Sequence, residues 1–196
     1  MSKKLIVASA NRGKIREIAE ILPDYEVIPM AEAGYTADIE ETGSTFYENA
    51  LIKAKTVAEA LRLPALADDS GLSVDALHGE PGVYSARYGG DHGNDEKNID
   101  RLLSELSGRK KEERGAKFCS CVVLYFPDGK TVCGYGETQG YILEEREGEA
   151  GFGYDPVFFS EDLGKSFGQA SAEEKNAVSH RFRAICDLKR KLEEEA

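Results

Sequence analysis

The apolar residues at the start of the chain follow a strand pattern and then a helix pattern, and this order constrains the fold most. A strand is predicted over Leu5–Ser9, and a loop over residues 10–13 follows it. The next apolar residues recur at helical spacing: Ile15, Ile18, Ala19 and Leu22. Pro23 ends this amphipathic helix, because proline cannot continue one. A strand followed at once by a helix is typical of α/β proteins.

Strand and helix patterns alternate again further along the chain. A capping box made by Thr45 and Glu48 predicts the start of a second helix. Its apolar stripe consists of Tyr47, Leu51, Ala54, Ala58 and Leu61. Two short strands are predicted next, Pro64–Ala67 and Leu72–Ala76, on either side of an Asp-Asp-Ser-Gly turn.

The rest of the chain contains a hairpin between two helices. The third helix ends near Gly108, and its apolar residues are Ile99, Leu102, Leu103 and Leu106. Strands over Ala116–Phe126 and Thr131–Gly136 flank Asp128-Gly129, which is a strong hairpin signal. Ser179 is the predicted N-cap of the last helix, whose apolar face consists of Phe182, Ile185, Leu188 and Leu192. Together these patterns predict a mixed sheet covered by helices.

Length and charge limit the classes of function. The 196 residues fit a single domain, 1–196, that is large enough for a proper core. A formal net charge of −11 argues against sequence-independent binding to nucleic acid, which depends on Lys and Arg neutralising phosphates. A local basic pocket for one phosphorylated small molecule is still compatible with this charge. No run approaches the ~20 apolar residues that span a bilayer, so no membrane partner is expected.

The cysteines and histidines do not form a metal-binding pattern. Cys119 and Cys121 alternate along a predicted strand, and the remaining two, Cys133 and Cys186, make no second close pair. We therefore expect reduced, structural thiols in a cytoplasmic protein. The three histidines, at positions 78, 92 and 180, are not paired at ligand spacing, which argues against a histidine-based metal site.

The segment "SANRGK", Ser9–Lys14, lies between a predicted strand and a predicted helix. A helix N-terminus offers free N–H groups and a positive dipole end that suit a phosphate, and Lys14 adds a full charge. The segment is not a P-loop, since Ala8 and Ile15 stand where that pattern needs Gly and Ser or Thr. By itself the segment also fits an ordinary strand–turn–helix connection.

Two acidic pairs are candidates for a metal site. Asp68 and Asp69 end a predicted strand, where α/β sheets usually bind ligands. With Glu40 or Glu41 they would form an oxygen cluster suited to Mg²⁺, which takes carboxylates together with substrate phosphates. The alternatives are an Asx-turn that uses Asp69 and a pair of solvated glutamates before a helix. Lys53 is four residues after an asparagine on one helix face, which could border a cleft or water.

Two stretches near the C-terminus could bind a flat ligand. In "GFGYDPVFF", residues 151–159, glycines around Phe152 permit close backbone approach, and the ring could stack on a base. His180 and Arg181, in "KNAVSHR", would occupy the first turn of the last helix with donors facing an anion or a carbonyl. The alternative for the aromatics is core packing, which does not explain Asp155 or the glycines. Ser70 lacks the surroundings of a hydrolytic nucleophile.

Taken together, these stretches closely resemble the inosine triphosphate pyrophosphatase family, which acts on deaminated purine nucleotides. The matching motifs are "SANRGK", "EETGSTFYENALIKA", "ADDSGL", "PGVYSARY", "GFGYDP" and "SHR". They occur in the family's order and spacing along nearly the whole chain. The resemblance implies an α/β fold with an elongated mixed sheet flanked by helices, two lobes with a substrate cleft, and a homodimer.

The resemblance also implies roles for individual residues. Asp69 would be the catalytic proton acceptor and, with Glu40, a ligand of Mg²⁺, with Glu41 and Asp68 as alternative ligands. The triphosphate would be bound by Ser9, Ala10, Asn11, Arg12, Gly13, Lys14 and Lys53. The rest of the nucleotide would contact Ser70, Phe152, Gly153, Tyr154, Asp155, Lys175, His180 and Arg181.

The implied activity is Mg²⁺-dependent hydrolysis of ITP, dITP, XTP and dXTP to the monophosphate and pyrophosphate, which removes them from the nucleotide pool. Two departures from the family pattern are visible: Glu149 and Ala150 stand where Thr-Gly is usual, and the first motif begins "SAN" rather than "TGN" or "TTN". Two other functions fit parts of the sequence. One is a pyrophosphatase for modified pyrimidine or standard nucleotides, and the other is a non-catalytic nucleotide sensor.

Overall fold

The computed structural model describes residues 3–194, in which strands and α-helices alternate up to the fourth strand and then occur in runs. The strands are β1 Lys3–Val7, β2 Tyr25–Pro29, β3 Ala65–Val74, β4 Gly115–Tyr125, β5 Thr131–Ile142, β6 Phe158–Ser160 and β7 Lys165–Ser166. The α-helices are α1 Arg12–Ile21, α2 Phe46–Leu61, α3 Asp95–Glu105, α4 Ala172–Val178 and α5 His180–Glu194. Short 3₁₀ helices cover Asp75–Leu77, Gly82–Arg87, Lys111–Glu113 and Asp155–Val157.

The seven strands make one sheet in the order β2-β1-β3-β4-β5-β6-β7. β1 pairs in parallel with β2 and β3, whereas β6 pairs antiparallel with β5 and β7. The predicted hairpin joins β4 to β5, and Gly129 takes the left-handed φ of +94° that its turn requires. The predicted mixed sheet flanked by helices is therefore confirmed. The cleft between two lobes stays a prediction.

The chain divides into two compact units, and β3, β4 and β5 each contribute residues to both. The first unit takes in the described residues up to Asp69, then Ser120–Gly136, and α5 from Arg181 on. The second unit consists of Ser70–Cys119 and Glu137–His180. A single domain over 1–196 stays a prediction, and residues 1, 2, 195 and 196 lie outside the described part.

The first unit has apolar clusters on both faces of its strands. One face packs larger side chains from α1, α5 and the sheet, including Ile18, Leu66 and Ile185. The other face packs against α2 and is lined by alanines, all fully buried: Ala50, Ala54, Ala58, Ala65 and Ala67. Small side chains let α2 lie close to the sheet. We call this second surface the alanine face.

The second unit has its own aromatic core. The Phe118 and Phe158 rings lie 4.6 Å apart between centroids, and the Phe158 and Phe167 rings 5.2 Å apart. Tilted arrangements at these distances are favourable for aromatic pairs. Leu102 from α3 and Tyr154 are buried in the same cluster.

The prediction of two strands around an Asp-Asp-Ser-Gly turn was wrong. β3 runs without interruption from Ala65 to Val74, so Asp68 and Asp69 lie in the middle of a strand. Local turn chemistry favours a break at such a sequence. The strand continues because buried lysine and arginine side chains compensate Asp68 and Asp69 within the first unit.

Smaller features were predicted with mixed success. The capping box of Thr45 and Glu48 is present, and α2 begins at Phe46, directly after the N-cap Thr45. Tyr47 and Ala19, however, are exposed rather than part of an apolar stripe. The first strand ends at Val7, two residues earlier than expected. In the part of the chain that the structure describes, no helix is both long and apolar enough to cross a membrane.

Candidate active site

Asp68 and Asp69 point to opposite faces of β3, because successive side chains in a strand alternate. Asp68 shares its face with Leu66 and contacts side chains from α1 and α5. Asp69 shares its face with Ala67 and contacts a side chain from α2. Both carboxylates are almost fully buried, at 1% and 6% exposure. The two neighbouring carboxylates therefore form ion pairs with different side chains.

Asp68 is fully compensated by basic and hydroxyl groups. Its Oδ2 lies 2.9 Å from Lys14 Nζ and 3.0 Å from an Arg181 guanidinium nitrogen. The Ser120 hydroxyl donates a hydrogen bond to its Oδ1. Burial alone would raise the pKa of Asp68, but the charges of Arg181 and Lys14 outweigh it and hold that pKa well below the usual value. These partners thus favour the charged form of the Asp68 carboxylate.

Asp69 retains an oxygen that the protein does not use. Its Oδ1 accepts a hydrogen bond from Lys53 Nζ at 3.2 Å, whereas Oδ2 is buried and has no hydrogen-bond partner among residues 3–194. Burial raises the pKa of Asp69 above that of an ordinary aspartate, against the opposing effects of Lys53 and Lys14. A buried carboxylate oxygen without a partner is costly for a purely structural residue.

Helix α2 brings Lys53 to this carboxylate. Lys53 Nζ also contacts Glu41 Oε1 at 2.6 Å and the Asp68 carbonyl oxygen at 3.0 Å. Burial lowers the pKa of Lys53, but the charges of Asp69 and Glu41 more than offset this and leave the pKa raised. One turn earlier on the same helix, Asn49 is fully buried and accepts the Gly43 amide at 2.8 Å. It thereby holds the segment that carries Glu41.

The predicted phosphate segment forms the start of α1. Asn11 is the N-cap, and its side chain accepts the Lys14 amide at 3.0 Å. The Asn11 amide in turn donates to Ser9 Oγ at 3.1 Å. Arg12, the first helical residue, is exposed, and Gly13 is partly buried. The segment therefore presents a helix N-terminus, while Lys14 reaches into the unit toward Asp68.

Arg181 is buried at the start of α5 and contacts two acids. Besides Asp68, its guanidinium group contacts the Glu17 carboxylate, and Arg181 is only 1% exposed. Glu17 lies in α1 at 4% exposure, three residues after Lys14. Within the first unit, α1 and α5 are therefore joined through charged groups. Arg181 compensates two buried carboxylates, which is a larger structural role than its sequence motif indicated.

The acidic residues near Asp69 are candidate ligands for a divalent cation. Among residues 3–194, no three His, Cys, Asp or Glu side chains converge as a preformed metal cage. Glu40 is exposed, and Glu41 lies beside Lys53 together with Asp69. The donor set nevertheless fits Mg²⁺, which is usually held by one or two carboxylates with substrate phosphates supplying further oxygens. The Asp69 Oδ2 atom is the oxygen suited to such a cation.

The second unit contains the glycine-rich loop around Phe152, which we call the aromatic loop. Gly151 and Gly153 have φ of +81° and +61°, a region that only glycine adopts readily. A Cβ atom at Gly151 would lie 2.0 Å from Asp155 Oδ2, so no other residue fits there without movement. The Phe152 amide between these glycines donates to Asp155 Oδ2 at 2.9 Å. Tyr154 is buried, and its hydroxyl donates to the Ser85 carbonyl at 2.7 Å.

Two basic residues predicted from sequence lie in the same unit. Lys175 Nζ pairs with Asp155 Oδ2 at 2.5 Å and lies 4.7 Å from the centre of the Phe152 ring. The Lys175 ammonium can thus contribute a cation–π interaction with that ring. His180 is 4% exposed and stacks on Phe118 with centroids 4.8 Å apart. Asp155 is 1% exposed and holds its neighbours in place.

The predicted residues fall into two groups, one in each unit. The first unit brings together the residues expected at the phosphates and metal: Ser9, Ala10, Asn11, Arg12, Gly13, Lys14, Glu41, Lys53, Asp68 and Asp69. It also contains Arg181, which was expected to contact the rest of the nucleotide. The second unit holds the remaining nucleotide residues: Ser70, Phe152, Gly153, Tyr154, Asp155, Lys175 and His180. Glu40 belongs to the first unit, but the structure gives it no contact with the acidic pair.

Three residues with clear contacts to these groups were not expected from the sequence. Glu17 binds Arg181, and Ser120 binds Asp68. Asp95 binds the Gly153 amide at 2.7 Å. Glu17 could have been identified from the sequence, because a charged residue three positions after Lys14 lies on the same helix face. Ser120 could have been identified as well, because it is a polar residue within a run of apolar strand residues. Asp95 resembles an ordinary acid in the first turn of a helix.

Comparison with known proteins finds one family along the chain. The model of the Ham1 family matches residues 5–191. A dITP/XTP pyrophosphatase of Bacillus subtilis (strain 168) is 48% identical over 193 residues, covering 97% of this chain and 98% of that protein. A dITP/XTP pyrophosphatase of Haemophilus influenzae is 48% identical over 196 residues, covering 98% of this chain and 100% of that protein.

Solved structures give the same result for the fold. The Ham1 protein of Staphylococcus aureus has a TM-score of 0.86 at 45% identity, with 99% of this chain and 100% of that one covered. A HAM1 protein from Coxiella burnetii also has a TM-score of 0.86, at 39% identity, with 98% and 99% covered.

Proposed function

We propose that this chain, which belongs to the Ham1 family, hydrolyses deaminated purine nucleoside triphosphates to the monophosphate and pyrophosphate. Two of its relatives at 48% identity are named dITP/XTP pyrophosphatase, and the chain covers nearly all of each. The substrates are ITP, dITP, XTP and dXTP. Their removal would keep deaminated bases out of the nucleotide pool.

The observation that carries this proposal is the difference between Asp68 and Asp69. Asp68 is neutralised by two cations and a hydroxyl group, whereas Asp69 keeps a buried oxygen that has no hydrogen-bond partner among the described residues, 3–194. A carboxylate that is buried, raised in pKa and incompletely bonded is suited to accept a proton from an attacking water. We therefore assign Asp69 as the catalytic base.

The residues at the start of α1 are proposed to bind the triphosphate. The helix N-terminus at Asn11 and Arg12 offers amide groups and a positive dipole end to the phosphate oxygens. Lys14 and Lys53 add positive charge, and their ammonium groups lie 3.5 and 3.0 Å from the same Asp68 carbonyl oxygen. Bound between these groups, the α-phosphorus would be oriented for in-line attack, and pyrophosphate would leave.

Mg²⁺ is proposed as the cofactor. Asp69 and Glu40 would hold it, with Glu41 and Asp68 as alternatives, and substrate phosphates would complete its coordination. When bound, the cation neutralises charge that develops on the phosphate oxygens. Of these acids, Asp69 and Glu41 are already near one another through Lys53. Asp68 is the least suited, because both of its oxygens are engaged.

The second unit is proposed to bind the base. Phe152 would stack on the purine, and His180 and Lys175 would donate hydrogen bonds around it. Ser70, Gly153, Tyr154 and Asp155 would make further contacts with the nucleotide. Arg181, which belongs to the first unit, is a further predicted nucleotide contact. Hypoxanthine and xanthine carry a carbonyl at C6 and a neighbouring N1–H, whereas adenine reverses both groups. A site with donors around C6 would leave polar groups unpaired with ATP, and such mismatches are strongly disfavoured.

We further propose that one domain, 1–196, forms a homodimer in the cytoplasm, as the family resemblance implies. Size-exclusion chromatography with light scattering measures the mass of the assembly, and a mass of about twice the 21.5 kDa chain is expected.

The products of hydrolysis test the proposed reaction. Purified protein is incubated with ITP, XTP, GTP, ATP and dUTP in Mg²⁺, and pyrophosphate is assayed separately from orthophosphate. We expect ITP and XTP to give pyrophosphate, and chelation of the divalent cation to stop the reaction. Orthophosphate as the first product would rule out attack at the α-phosphorus. Binding without hydrolysis would favour a nucleotide sensor.

Base preference gives a separate prediction. GTP shares the C6 carbonyl with ITP, so only its 2-amino group can cause rejection. We therefore expect hydrolysis rates in the order ITP and XTP, then GTP, then ATP, measured as kcat/KM with a single enzyme preparation. Preference for dUTP over ITP would instead indicate a pyrimidine nucleotide pyrophosphatase.

A further inference from the structure

Two different carboxylates bind consecutive amides in the aromatic loop of the second unit. The Phe152 amide donates to Asp155 Oδ2 at 2.9 Å, and the Gly153 amide donates to Asp95 Oδ2 at 2.7 Å. Asp155 is part of the loop itself, whereas Asp95 is 58 residues away in the chain. Two acceptors on adjacent amides therefore fix the two peptide planes on either side of Phe152.

The loop needs such fixing because of its glycines. Gly151 and Gly153 flank Phe152, and glycine loses more conformational freedom on ordering than any other residue. Asp155 Oδ2 is shared, since it also pairs with Lys175. The Asp95 carboxylate supplies a second acceptor, on the other side of Phe152 from Gly151.

Asp95 is itself held on a rigid element. It is the first residue of α3, whose N-cap, Asn94, accepts the Lys97 amide at 3.1 Å. The helix is anchored by Asn98, which is 2% exposed and accepts the Gly89 amide at 2.6 Å, and by Leu102 in the aromatic core. Packing therefore sets the position of Asp95 before any ligand arrives.

We infer that Asp95 is a positioning residue of the nucleotide site, which holds Gly153 and thereby presents the Phe152 ring to the base. The inference rests on the proposed function, since it takes Phe152 as the residue that stacks on the purine. Asp95 would act through the loop, without contact to the reacting phosphate. Its loss should weaken nucleotide binding more than it slows the chemical step.

Asp95→Ala tests this inference, with KM and kcat for ITP measured by pyrophosphate release. One charge-assisted hydrogen bond corresponds to about a tenfold change in binding, so KM is expected to rise about tenfold with kcat little changed. Asp95→Asn keeps an acceptor oxygen and should restore most of the affinity. Glu96→Ala is the matched control, because it removes an acid from the same helix turn. In the described part of the chain, the Glu96 carboxylate forms its ion pair with the exposed Arg146. The control should stay within about twofold of the wild type.

Hydrogen–deuterium exchange supplies a readout that does not depend on activity. The amides of Phe152 and Gly153 should exchange faster in Asp95→Ala than in the wild type and the Glu96→Ala control. Unchanged exchange, or faster exchange with unchanged KM, would overturn the positioning role. Equal effects of the Asp95 and Glu96 variants would overturn it too, by assigning them to helix charge. A wild type that binds ITP without hydrolysing it would overturn the proposed function alone, and ITP dissociation constants would then replace KM.

Discussion

Asp69→Asn is expected to lower kcat for ITP by about 10²–10⁴-fold, the usual loss for removal of a general base. Asparagine has nearly the same shape as aspartate, and its Oδ1 can still accept from Lys53, which keeps its contact with Glu41. The fold should therefore tolerate the change, while proton acceptance and metal binding need the lost charge. The measurements are initial rates of pyrophosphate release and the midpoint of thermal unfolding.

Asp24→Asn is a suitable control for this experiment. Asp24 is an exposed acid of the same unit, so its amide variant changes the net charge equally without touching the buried site. Wild-type activity in the control and a lost reaction in Asp69→Asn would support the assignment. An Asp69→Asn protein with near-normal kcat would move the catalytic role to Asp68 or Glu41.

Arg181→Ala is expected to destabilise the protein by about 3–5 kcal/mol, the usual cost of removing one partner from a buried ion pair. The Asp68 and Glu17 carboxylates are both buried and would both lose a compensating charge. For a chain of this length, the midpoint of thermal unfolding should fall by roughly 6–20 °C.

Arg190→Ala provides the matched control on the same helix. Arg190 also contacts two acids, Asp187 and Glu194, but its side chain is 57% exposed. Exposed pairs contribute about 0–1 kcal/mol, so this variant should unfold nearly as the wild type does. Equal stability losses in the two variants would contradict the structural role of Arg181.

Activity measurements on Arg181→Ala separate two roles for Arg181. If Arg181 also recognises the base, Arg181→Ala should reduce ITP hydrolysis far more than ATP hydrolysis. If both rates fall by one factor, Arg181 acts only by holding Asp68 and Glu17. Rates are compared at a temperature where the variant is fully folded, so that lost stability does not enter the ratio.

Local signals predicted the helix starts, because capping depends on residues within one turn. The Thr45–Glu48 capping box and the helix start in "SANRGK" are both present. The same reasoning failed at Asp68 and Asp69, where local chemistry favours a turn. What keeps β3 intact comes from elsewhere in the chain, since Arg181 is 113 residues from Asp68. One sequence without an alignment does not specify such pairings.

The sequence motifs likewise predicted which residues belong to the candidate site but not which of them contact one another. Lys53 was expected at the phosphates, but its approach to Asp69 depends on how α2 packs against the sheet. Glu17 and Asp95 are ordinary helix acids in the sequence, and their partners lie 164 and 58 residues away. The two adjacent aspartates have different partners because successive side chains in a strand point to opposite faces. A turn at these residues was predicted from the sequence, so this difference between their partners was not expected.

The alanine face has a practical consequence for engineering thermostability. The methyl groups of Ala54 and Ala67 act as spacers that set how far α2 stands from β3, and thus where Lys53 meets Asp69. Filling a core with larger side chains is a common way to stabilise a protein, yet overpacking displaces the backbone. A valine at Ala54 would push the lysine outward and leave the aspartate with a different charge environment. Redesign of this core should therefore begin on the opposite face, around Ile18 and Leu66, where larger side chains already pack.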